Sequence, residues 1–179
     1  MSDVRFNMRP FDKLVSAVEL AGAEAASTPL TAMFTAWGGR YMAFTRRRYL
    51  KFSRGGGDWA PLAESTKARR RKPRRGHVGS RSMSILIDTR TLFNALTAGS
   101  TGNLSQVLKN PGGIRVGFAE GVQHGMDGIT IRKLAVIHDQ GLGNVPKRTI
   151  LVPPDKVTEN GMMKDAGTAM QDIMRRLAI

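Results

Sequence analysis

Three groups of residues in this sequence have side chains that could do chemistry. The first centres on histidine. His138-Asp139 stands in the chain with Asn144 shortly after it and His124 before it, and such a set can be drawn as part of a nuclease or metal site. Adjacent residues project in different directions on a helix or a strand, and one His among scattered carboxylates falls short of a base, a nucleophile and an orienting group. His138 therefore reads as a structural residue that bonds the backbone in a Gly-rich turn, and Asp88-Thr89 as a cap or turn. The second group is Gly55-Gly56-Gly57. Asp58-Trp59 follow where a phosphate loop needs a lysine and a hydroxyl, so no nucleotide cradle is expected. With three histidines and no cysteine, there is no thiol nucleophile, disulfide, Cys-based zinc site or iron–sulfur site. No cofactor and no metal is expected, and the chain reads as a non-enzyme.

The third group is the cations. The 179 residues hold 28 Lys or Arg against 14 Asp or Glu, a formal charge of +14. From Arg40 to Arg81 there are 14 basic residues and only Asp58 and Glu64 as acids, so this stretch carries +12 of the total. The rest of the chain is close to neutral. Arg46, Arg47 and Lys51 precede the glycine run; Lys67, Arg69, Arg70, Arg71, Lys72, Arg74, Arg75 and Arg81 follow it, interrupted by Pro73, Gly76 and Gly79. Like charges without an apolar partner do not fold on themselves, so residues 67–84 read as a flexible basic loop that orders on a polyanion. The loop has no aromatic side chain to stack on a base, which points to phosphate contact without sequence readout. The plainer alternative is a solvated loop that only maintains solubility, a task that mixed charge serves equally well.

These residues need elements to position them. Val4 to Met8 alternates as a short strand, and Phe11 to Ala25 carries an apolar stripe at helical spacing. Ser27-Thr28-Pro29 reads as the start of a second, long helix. Its stripe of Leu30, Met33, Phe34, Trp37, Tyr41, Phe44 and Phe52 runs to about residue 53, interrupted at Gly38-Gly39, with Arg46, Arg47, Lys51 and Arg54 off the stripe. Trp37 reads as core. Trp59 and Leu62, in the turn after the glycines, read as the anchor that pins this loop, the alternative for Trp59 being a protein interface. Glu64 to Arg71 suits one or two helical turns. Ile85 to Thr89, Ile114 to Phe118 and Ile129 to Ile131 read as strand-like, and Thr91 to Leu96 as a turn of helix. A last helix from about Glu159 presents Met163, Ala166, Met170, Ile173, Met174 and Leu177 on one face, more a core surface than a partner surface. The sum is one α+β domain spanning 1–179: an antiparallel sheet or sandwich core, N-terminal helices of which one is long, a C-terminal helix, and the basic loop. No apolar run reaches the ~18 residues of a membrane span, and the N-terminus lacks a signal-peptide core, so a cytoplasmic protein without a membrane partner is expected.

The order of several short motifs resembles that of the tailed-bacteriophage virion morphogenesis or tail completion proteins. These motifs are Gly55 to Leu62 with Thr66 and a basic stretch, Ile85 to Leu92, Val116-Gly117-Phe118, Ala135 to Gly141, and Pro146 to Leu151. Together they span about residues 50 to 152. Arg90 stands where that family usually has glycine, and the basic loop is longer and more charged than the family's usual linker. The resemblance implies a structural protein of the head–tail joint, the neck or the head-proximal tail. It further implies a homo-oligomeric ring around the DNA channel, partnered by head-connector and tail-terminator or tail-tube proteins, found in the virion and, during assembly, in host cytoplasm. Two other classes fit the residues. A host-type nucleic-acid-binding protein would bind duplex DNA or RNA as a monomer or dimer, and a metal-dependent nuclease would depend on His138.

Overall fold

The computed structural model describes residues 23–71, 83–109, 112–124 and 128–176. The expected strand at Val4 to Met8, most of the expected first helix, and Lys72, Arg74, Arg75 and Arg81 of the basic loop lie outside them. The expected long helix is α1, Ala23–Ser53. Met33, Phe34, Trp37, Tyr41, Met42, Phe44 and Tyr49 are buried along it, because apolar residues three and four apart share one face of a 3.6-residue helix. Ser27-Thr28-Pro29 does not start α1. Helix already runs through Ala23, with Pro29 inside it; proline removes one backbone donor there, and the rest of the long helix carries the loss. Gly38-Gly39 does not interrupt it either. A Cβ on Gly38 would stand 2.5 Å from Ile114 Cδ1 and 2.7 Å from Ser105 Oγ, so the missing side chain is what lets a sheet approach.

That sheet is a hairpin of β1, Asn103–Lys109, and β2, Gly112–Phe118, antiparallel from Asn103 opposite Phe118 to Lys109 opposite Gly112. Ile114, Val116 and Phe118 bury one side of β2 under α1. The protein is α+β, but its sheet has two strands among the described residues, where a larger sheet or sandwich was expected. Ile85 to Thr89 is not a strand. With no strand to pair with among the described residues, it forms turns that bury Ile85 and Ile87, its backbone held by Ile85 N–H to Ser53 O (2.8 Å). Ile129 to Ile131 is not a strand beyond a single bridge at Thr130. Thr130 instead caps α4, Ile131–Gln140, its hydroxyl accepting from Lys133 N–H at 3.2 Å, and an N-terminal cap favours helix over extension.

The shorter α2, Glu64–Arg71, and α3, Thr91–Ala95, sit where turns of helix were expected. Arg90 before α3 has φ 61°, the left-handed conformation glycine takes most readily. The last helix, α5, Lys156–Arg176, starts three residues before Glu159. Asp155 caps it, its carboxylate accepting from Thr158 N–H at 2.9 Å. The buried face is Thr158, Met162, Ala166, Ala169 and Ile173, rotated from the expected stripe so that Met163 and Met174 are exposed; Leu177 lies outside the described residues. The alanines allow close approach to α1, and Trp37 Nε1 donates to Met162 O at 2.9 Å. On the rim, Arg40 holds Asp165 by two hydrogen bonds of 2.6 and 2.8 Å.

Candidate nucleic-acid interface

Helix α1 ends as a Schellman turn. Gly56 N–H bonds Lys51 O (3.0 Å) and Gly55 N–H bonds Phe52 O (3.0 Å), with Gly55 at φ 85°, so the chain reverses where a Cβ would be strained. Upstream of this stop, Arg46, Arg47 and Lys51 are exposed on the side of α1 away from its apolar stripe, as is Arg54 just past it. Arg46 lies over the Phe93 ring at 4.6 Å, which restrains the guanidinium stem without neutralising its charge. Arg48 differs: it lies over Phe52 at 4.2 Å and donates to Thr149 O at 2.7 Å.

Helix α2 separates its cations. Arg69 and Arg71 are exposed. Lys67 pairs with Glu64 at 2.6 Å, and that hydrogen bond pulls the Glu64 carboxyl below its usual range. Arg70 turns inward; its side chain is 7% exposed, 3.8 Å from Asp88, and donates to Ser84 O at 2.8 Å. The run Arg69-Arg70-Arg71 is therefore not three equal surface charges. Of the expected DNA contacts, Arg46, Arg47, Lys51, Arg69 and Arg71 are placed for contact with a large anion. No Phe, Tyr or Trp is exposed among the described residues, so this surface offers charge without a stacking platform.

Beneath it lies a junction of the sequence motifs. Trp59 is 6% exposed. Its ring meets Tyr49 at 5.1 Å and Phe52 at 5.6 Å, both at 90°, and its Nε1 donates to Thr149 O at 3.3 Å. Leu62 packs against the core, partly buried. Arg148 is 5% exposed; its guanidinium donates to Ala60 O at 3.0 Å, and its backbone N–H to His138 O at 2.7 Å. Tyr49 donates its hydroxyl to Leu86 O at 2.6 Å, and burial raises its pKa. Segments 55–62, 85–92, 135–141 and 146–151 thus meet around two aromatic residues and one arginine.

Sequence reasoning missed Arg148 and Arg48. No local signal singles out Arg148, since Ile150 and Leu151 are both buried beside it and its role depends on Ala60 meeting it in space. His138 is in the last turn of α4. The expected side-chain bond to backbone is not found. Its carbonyl is the bonded group, while its buried Nδ1 has no partner among the described residues. Burial, and then the charge of Arg148, lower its pKa to about 4. Among the described residues no His, Cys, Asp and Glu group could hold a metal, and no helix is long and apolar enough to cross a membrane. Compared with known families, curated proteins and solved structures, the chain matches none.

Proposed function

We propose that this chain is a structural, non-catalytic DNA-contacting protein that grips phosphates without reading sequence. In this reading it forms a ring subunit at the head–tail joint of a tailed bacteriophage, between head connector and tail. The observation that carries the DNA contact is the cationic surface made by Arg46, Arg47, Lys51 and Arg54 on one side, and by Arg69 and Arg71 at the end of α2, with no aromatic ring exposed beside it. Guanidinium and ammonium groups without a stacking ring beside them suit a backbone that is the same at every step. The place in the virion is supported by the motif order, and the meeting of four motif segments at Trp59 and Arg148 gives those residues a common task, holding the frame from which the basic segment emerges.

The test is to neutralise Arg69, Arg71, Arg74 and Arg75 together and assemble particles. DNA retention is expected to fall while the ring still forms. Failure of the ring, with DNA binding by the isolated protein unaffected, would make the basic segment a protein-docking element. A chain that binds duplex DNA tightly as a monomer or dimer and adds to no particle would instead be a host-type nucleic-acid-binding protein.

A further inference from the structure

Phosphate contact leaves one feature of α1 without a task. Gly39, Met42, Ala43, Arg46 and Arg47 follow one another at helical spacing and share one face, and with Leu96 and the turn after α3 they line an open groove of about 410 Å³. Met42 and Leu96 are each 1% exposed and give it an apolar floor. Gly39 and Ala43 are exposed and small. A Cβ on Gly39 would meet nothing within 4 Å, so the groove stands open where larger side chains on α1 would fill it.

The charge of the lining has one sign. Arg46 and Arg47 are its cations, and it has no carboxylate. Arg46 lies over the Phe93 ring at 4.6 Å, a contact that holds the side chain and leaves its charge in place. Neither arginine makes an ion pair among the described residues. The carboxylate that senses Arg47 is Asp155, whose pKa is lowered first by its hydrogen bonds with Thr158 and only more weakly by that charge. Duplex DNA can bring phosphate to both guanidiniums, but its bases are stacked inside and it has no apolar group to lay on the floor between them. A polypeptide supplies both parts. A large apolar side chain buries the floor as an anchor, and carboxylates beside it meet the guanidiniums in forked hydrogen bonds. The same charge attracts an acidic segment and repels a basic one.

We infer that this groove docks a segment of a protein partner in which an aliphatic or aromatic anchor is flanked by acidic side chains. The docking does not rest on the chain being a virion protein. It shares Arg46 and Arg47 with the DNA surface, so segment and DNA exclude one another at these two residues, while Arg69 and Arg71 stay available to phosphate.

The experiment is a titration of the full chain, ¹³C-labelled at its methionine methyl groups, with a synthetic peptide that places one phenylalanine and one leucine among glutamates, at constant ionic strength. A saturable shift of the Met42 methyl resonance is expected, with the exposed Met163 and Met174 unmoved. A control peptide of the same charge, with serine at both apolar positions, should bind at least about tenfold more weakly, the size of effect that one anchor carries. Ala43→Leu fills the groove at an exposed helix position without changing charge; it should weaken the peptide by about tenfold or more and leave duplex DNA binding unchanged, whereas Arg46→Gln with Arg47→Gln should weaken both. Should Ala43→Leu not fold, the serine peptide and the arginine pair decide. No saturable shift of Met42, equal binding of the serine peptide, or peptide binding untouched by Ala43→Leu overturns the site. A single-stranded oligonucleotide that shifts Met42 and is lost in Ala43→Leu, while the peptide is not, overturns it as well and assigns the groove to an unstacked base.

Discussion

Replacing Trp59 with alanine removes the residue on which the motif junction closes. The indole is 6% exposed, so the change loses nearly the whole transfer energy of a large aromatic and leaves a cavity between Tyr49 and Phe52, about 3 to 5 kcal/mol in sum. The two edge-on ring contacts lie within that figure at about 0.5 to 1.5 kcal/mol each. The lost indole hydrogen bond adds little, because Thr149 O keeps the Arg48 guanidinium at 2.7 Å and no acceptor is orphaned. In a chain of 179 residues each kcal/mol moves the midpoint by about 2 to 4 °C. A fall of roughly 6 to 20 °C in thermal unfolding followed by circular dichroism is expected, with Trp59→Phe losing less than half as much. A Tm within about 2 °C of wild type would mean that Trp59 does not hold the loop.

Other expectations follow from the same packing. Gly39→Ala, with nothing within 4 Å of its Cβ, should raise stability by about 0.5 to 1 kcal/mol through helix propensity, whereas Gly38→Ala, which drives into Ile114 and Ser105, should lower it by about 1 to 3 kcal/mol; urea unfolding of the pair checks the opposite signs. Arg90→Gly should stabilise by about 1 kcal/mol, since the exposed arginine sits at φ 61° in a conformation that penalises a Cβ; an unchanged urea midpoint would show that the turn carries no such cost. His138 has a folded pKa lowered to about 4 from an ordinary 6.5, so the unfolded chain binds the extra proton between those values. Its contribution is present above about pH 6.5 and lost as pH falls toward 4, and His138→Asn should flatten stability against pH across that window.

What was legible in the sequence follows from which signals are local. The stripe of Met33, Phe34, Trp37, Tyr41 and Phe44 declares α1 and, by difference, the cationic side that carries Arg46, Arg47 and Lys51, because three-and-four spacing is a property of the helix itself. Gly55 marks the stop for the same reason. Strand β1, largely polar at Asn103, Ser105 and Gln106, is defined by its partner and carries no comparable signal. Ile85 to Ile87 is apolar because it is buried, and burial does not distinguish a strand from a packed turn. The inward rotation of Arg70 and the reach of Arg148 to Ala60 depend on which segments meet in space, so the composition that flagged a basic region could not separate surface cations from buried ones.

The claim that the surface grips phosphate without reading sequence is tested most directly by the salt dependence of duplex DNA binding. With about eight phosphate contacts, log K should fall against log salt with a slope of roughly −7, a loss of about four orders of magnitude between 50 and 200 mM, alike for unrelated sequences. Replacing Arg46, Arg47, Lys51, Arg69 and Arg71 with glutamine should make the slope shallower by up to about 4.5. A wild-type slope shallower than about −2, or an affinity that changes tenfold or more with sequence at fixed length and salt, would contradict the account.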